Sequence, residues 1–210
     1  GGGAASGGAA LALNFLGRTA TNAGSSKRVE AEVVDSVVRS TGPVGVNAYS
    51  TSTIESVGVA AGASGTTAIT GSNSTNLLED DITASWAGSE LISTGTLTVA
   101  ARQASEIDSL AGNVSGSLGA SVGAAVAVNR IGTDTNASLV GVGCDQFNSG
   151  MGYWTQYADD LVLSAESDNQ INTIAVGMSA GSVGVQGSVA VSVIDSLTRA
   201  TLGADGFVTN

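Results

Sequence analysis

The chain has 210 residues, among them 30 glycines, one proline, one cysteine and no histidine, and its formal net charge is −11. Those counts exclude histidine-based triads, imidazole metal ligands, an internal disulfide and a thiolate zinc cluster. The acidic balance disfavours nucleic acid and anionic membrane surfaces as partners.

With 42% hydrophobic and 12% charged residues the composition is not that of a disordered chain, but only 4% is aromatic and the apolar residues are mostly Ala and Val. A thin, repetitive fold suits this better than a compact core. No run of about 18 apolar residues exists to form a transmembrane helix.

The chain opens with GGGAASGG, lacks an initial Met and a signal peptide, and reads as a piece of a longer protein. ALALNFLG at 10–17 matches AVAVNRIG at 125–132, so a partial repeat (1–30) comes first. Residues 31–48 (AEVVDSVVRSTGPVGVNA) then match 84–101 (ASWAGSELISTGTLTVAA) at an offset of 53. The phase marker Ala31 recurs at Ala84, Ala137 and Ala200. Repeat units therefore span 31–83, 84–136 and 137–199, and a further unit begins at 200–210. Asn76 and Asn129 also sit one unit apart. The third unit is longer because 11 residues are inserted within 141–160, and one residue is lost later.

Each unit opens with short alternating strands, such as 31–34, 36–39 and 44–48, punctuated by Ser-Thr-Gly. Gly42 and Gly95 are expected at corners that demand an unusual backbone angle, and Pro43 suits such a corner. A long alternating stretch follows, clearest at 171–194. Period two means strand. Ile174, Val176 and Met178, then Val183, Val185, Val189, Val191 and Val193, share a bulky face expected to pack in a core. The opposite face is nearly all Gly, Ala and Ser, suited to close approach of another backbone layer or to a smooth exterior. Leu110, Val114, Leu118, Val122, Val126 and Val128 repeat the design. The strands flanking Ser-Ala-Gly-Ser (179–182) read either as a hairpin or as two successive solenoid faces.

The predicted fold class is all-β, a repetitive parallel β-solenoid (β-helix), with long β-hairpin segments in each repeat as the open alternative. At roughly 20 residues per turn, each unit would hold between two and three coils.

TLTVAARQASEIDSLAGNVSGSLGASVGAAVAVNRIGTDTNASL, echoed by LVLSAESDNQINTIAVGMSAGSVGVQGSVAVSVIDSLTRATL, resembles the passenger repeats of filamentous-haemagglutinin-like adhesins and leukotoxin-type giant autotransporters of Gram-negative bacteria. The resemblance covers nearly the whole chain. It implies an extended β-solenoid stalk or filament segment at the bacterial outer surface, extracellular, serving adhesion, cell–cell contact or biofilm. It implies no catalytic residue.

Candidate sites are few. Phe147, Tyr153, Trp154 and Tyr157 fall in the insertion and suit a cell-surface glycan or protein receptor, since rings bury much area with few rotors. A loop capping its own solenoid face is the alternative. Carboxylates stacked by the repeat, with Asp81 and Asp134 the matched pair, suit Ca²⁺, but no calcium-loop pattern accompanies them. Solvated charge is the plainer reading, and no other cofactor is implied. Glu55 and Asp108 also match, but Asn172 follows them. Cys144 offers an intermolecular crosslink or a buried thiol. No acid–base pair or phosphate-binding glycine motif stands out, so a non-enzymatic chain is expected, with other copies or segments of the same protein as partners.

Overall fold

The computed structural model describes residues 5–17, 27–93, 95–140 and 160–203. Its elements are β1 (Ser6–Leu16), β2 (Lys27–Val34), β3 (Val37–Ser40), β4 (Val44–Ser64), β5 (Thr67–Ala87), β6 (Glu90–Ser93), β7 (Leu97–Ser117), β8 (Ala120–Val140), β9 (Leu161–Ala180) and β10 (Val183–Leu202). No helix occurs among the described residues, so none is long and apolar enough to cross a membrane.

The architecture is a parallel β-solenoid. One sheet runs β1-β5-β8-β10, with β2 beside β1 on the same edge of β5. The facing sheet is β4-β7-β9, and β3 pairs with β6 in a small third face. Every one of these pairings is parallel. One circuit passes from the first sheet through the short third face to the second sheet and back.

A 53-residue unit is therefore one coil, not two or three. Thr67 lies beside Ala120 and Val44 beside Leu97. The shorter-coil expectation fails because the long strands run 21 residues before turning, about 70 Å at 3.3 Å per residue. The hairpin alternative fails too. β9 pairs with β7 and β10 with β8, so the strands flanking 179–182 belong to facing sheets.

Sequence offset and hydrogen-bond register coincide. The 53-residue offset is the pairing of β4 with β7 and of β5 with β8. Val140 pairs with Ala87 and Leu161 with Leu97, so 21 residue steps replace 10 and the insertion of 11 lies between them. One further excursion lies nearer the start. Leu16 pairs with Leu78 and Lys27 with Asp80, so 11 steps of chain face two and nine residues are extra.

The two ends of each coil differ. At the blunt end, β3 and β6 hold the long sheets apart. Trp86, Leu91, Ile82, Leu97, Val99, Val46 and Leu139 fill the space. The corner entering this face is where the unusual backbone angles fall: Asp35 (φ 47°) and Gly88 (φ 57°), one unit apart. Gly42 and Gly95 do sit at the next corner, but among the described residues only Asp35, Gly17 and Gly88 have left-handed φ. The Ser-Thr-Gly corner is instead held by hydroxyls: Gly42 N donates to Ser40 Oγ and Gly95 N to Ser93 Oγ, both at 3.1 Å. These are the local turns Ser favours.

At the thin end, two residues connect the facing sheets in each coil: 65–66, 118–119 and 181–182. The sheets are held close, and the inward face is small. Ala111, Ala125, Ala127 and Ala175 pack together there. A Cβ on Gly58 would sit 2.9 Å from Asn73 O across the gap, so only glycine permits that approach.

This reverses the expected polarity of the alternating stretch. The small face points inward and the bulky face outward. Ile174, Val176, Met178, Val183, Val185, Val189, Val191 and Val193 are all exposed, as are Val114, Leu118, Val122 and Val128. The gap between the sheets has no room for them.

Candidate functional site

Between thin and blunt ends, the interior is layered. Each layer is a column running through the coils, because like residues stack in register. Next after the alanines of the thin end comes a polar column. Asn14 Nδ2 donates to Asn76 Oδ1 at 2.8 Å, Asn76 Nδ2 to Asn129 Oδ1 at 2.7 Å, and Asn129 Nδ2 to Thr173 Oγ1 at 2.7 Å. Serine hydroxyls from both sheets lie beside it, with Ser74 Oγ 2.7 Å from Ser56 Oγ and 2.9 Å from Ser109 Oγ. An amide both donates and accepts, so a stacked column satisfies its own buried groups.

An aliphatic layer follows: Ile54, Leu78, Ile107 and Ile131, with Leu16 and Ile171 against it. Beyond it lies the most chemically varied cluster. Buried Asp80 accepts hydrogen bonds at Oδ2 from Ser52 Oγ (2.7 Å) and Ser50 Oγ (3.3 Å). Lys27 Nζ donates to the same hydroxyls at 3.0 and 2.9 Å. Strand alternation positions these groups. Lys27 is the register partner of Asp80 in the first sheet, and the two serines face them from β4. A lysine, serine hydroxyls and a carboxylate could in principle activate a nucleophile. Ser50, Ser52 and Asp80 are, however, buried between the sheets. The arrangement neutralises an interior carboxylate through two bridging hydroxyls. In the next coils the same layer holds Gln103 with Ser105, and Thr133 with Ser167 and Ser196.

The sequence-predicted carboxylates sit elsewhere. Asp81 and Asp134 are register partners on the outer face of the first sheet. Arg28 Nε of the preceding coil lies 3.9 Å from Asp81 Oδ2. The Glu55–Asp108–Asn172 row stacks on the second sheet, and Asn172 Nδ2 donates to Asp108 Oδ1 at 2.9 Å. No group of three or more metal-ligating side chains is present among the described residues. Phe147, Tyr153, Trp154, Tyr157 and Cys144 lie outside the described residues.

Sequence reasoning missed the Lys27–Asp80 cluster. Glu79-Asp80-Asp81 reads as one acidic run, but strand alternation sends Asp80 inward and its two neighbours outward. Its signal was present: the chain's one lysine stands 53 residues before Asp80, one repeat offset.

Among the described residues, charge on the long strands is confined to one half of their length. The thin half of the strands (6–16, 56–64, 67–77, 109–117, 120–129, 173–180 and 183–194) contains no Asp, Glu, Lys or Arg. Exposed ion pairs lie beyond it, such as Arg130–Asp195 at 3.3 Å and Arg102–Glu166 at 3.4 Å. The outer faces of the thin half thus combine exposed aliphatic side chains with no charge. The chain matches no family model, and no curated protein or solved structure is significantly similar to it.

Proposed function

We propose that this chain is a structural segment, stalk or filament, of a large secreted bacterial surface adhesin, serving adhesion, cell–cell contact or biofilm. The observation that carries the reading is the in-register stacking of whole coils. β4, β7 and β9 follow one another in a single ladder, as do β5, β8 and β10. Each coil contacts its neighbours alone, so the design extends without limit along one axis, as in solenoids generally.

The dimensions refine the picture. One coil adds about 4.8 Å along the axis while its strands reach about 70 Å across. Three circuits and a final strand make a broad ribbon, not a slender rod. A design that spends 53 residues on one strand spacing favours wide faces over reach.

Immunogold labelling of intact source cells tests the reading. Antibody raised against the 210-residue chain should decorate the outer surface and any filaments there. Labelling found only after lysis would overturn it. Fibre diffraction of the native assembly should show a meridional spacing near 4.8 Å along the filament.

A further inference from the structure

We propose that the outer face of the thin half of the first sheet is an interface that docks, face to face, on the same face of a second copy of this chain. This inference stands independently of the adhesin reading.

The first argument is area. The face spans four strands, β1, β5, β8 and β10. With strands about 4.8 Å apart and outward residues about 6.8 Å apart, the patch measures roughly 19 by 30 Å in projection, on the order of 600 Å². That area compares with the largest apolar patches on monomers, about 300–600 Å², and the polar Asn73 and Thr75 within it are paired with each other, Thr75 Oγ1 donating to Asn73 Oδ1 at 2.8 Å. The area also reaches the lower range of a standard interface, about 600–1,000 Å² per partner. The face holds no charge, so docking strands no ion.

The second argument is shape. Register stacks Ile69, Val122 and Val185 into one ridge. It stacks Leu11, Asn73, Val126 and Val189 into a parallel ridge four residues along. Ile69, Val122, Val185, Leu11 and Val189 are exposed. Between the ridges runs a furrow of Ala9, Gly71, Ala124 and Gly187. A Cβ on Gly187 would meet nothing within 4 Å, and one on Gly71 only Ala124 O at 4.0 Å, so the furrow is open. Ridge and furrow on one face share a direction and a spacing. A two-fold axis parallel to them, lying midway between one ridge and the furrow, seats each copy's ridge in the other's furrow. Such a contact is self-complementary and closes as a dimer. It forms the dry interdigitation seen where sheets pack side chain to side chain.

The test fills the furrow. Gly71→Val with Gly187→Val adds apolar surface and strand propensity where the fold has room, yet removes the seat for the partner's ridge. Sedimentation equilibrium of the 210-residue chain over about a hundredfold range of concentration should show a monomer–dimer equilibrium. The filled variant should lose at least about tenfold in association constant, with an unchanged far-ultraviolet circular dichroism spectrum. Val185→Ser should weaken association while leaving the fold intact. A wild-type chain that stays monomeric throughout overturns the proposal. So does a filled variant that associates equally or more tightly, which is the result expected of unspecific hydrophobic adhesion or of coil-end stacking. Co-sedimentation of a monomeric wild type with phosphatidylcholine vesicles would instead identify a lipid surface as the occupant, and overturns it as well.

Discussion

The two ends of each coil use the same strands and opposite patterns. In β8 the inward residues at the blunt end include Ile131, Ala137 and Leu139, whereas at the thin end they are Ser121, Gly123, Ala125 and Ala127. The difference follows from how the sheets are joined. A third face separates them at the blunt end, and large side chains occupy the space. Two residues bridge them at the thin end, and the turns stack on one another: Ala120 N donates to Thr66 O at 3.0 Å and Val183 N to Gly119 O at 3.3 Å. Inter-sheet distance, more than hydrophobicity, decides which side chains face inward. Where the gap is narrow, aliphatic residues are displaced to the surface. Burial of small side chains then relies on close packing and on hydrogen bonds among hydroxyls and amides.

This contrast can be broken from either end. The largest effect should come from Trp86→Ala at the blunt end. Trp86 is fully buried and its Nε1 donates to Ser89 O at 3.1 Å. The truncation should lower unfolding free energy by about 3–5 kcal/mol, measured by urea denaturation followed by circular dichroism. Next is Ala127→Leu in the thin end. An added isobutyl group has nowhere to go between the sheets, and a loss of about 1–3 kcal/mol is expected. The neighbouring outward change Val128→Thr should stay within about 0.5 kcal/mol. If the two cost the same, the thin end is not close-packed. A comparable or smaller loss, about 1–3 kcal/mol, should follow Asn76→Ala, which leaves Asn129 Oδ1 buried without its 2.7 Å donor. Restoring the amide as Asn76→Gln would not recover this, because the longer arm misses the column.

Much of this architecture was legible in the sequence. Offsets of 53 between like residues became hydrogen-bond register because stacking places each residue on its own counterpart. The insertion could be placed because the offset changes across it. The early nine-residue excursion was legible too: ALALNFLG matches at an offset of 115, nine more than two units of 53. The number of coils per unit was not legible, since a repeat length says how often a pattern returns and not how often the chain turns within it. Nor was the polarity of the thin half. Alternation separates Val185 and Val189 from Gly184 and Ser188, but which set faces inward depends on the width of the gap. A two-residue connector between long strands was the available clue, and it read equally well as a hairpin. The Lys27–Asp80 cluster needed both register and parity together, and a run of three acidic residues hides the parity.

The ladder also resumes without a slip after each excursion. Lys27 returns to pair beside Asp80, and Leu161 beside Leu97, after nine and 11 additional residues respectively. Alignment is therefore enforced by some forty paired residues per circuit, and chain length at these two junctions is free to vary. A foreign peptide grafted between Val140 and Leu161 should therefore leave the pairing of Leu161 with Leu97 unchanged, since the strands on either side set that register.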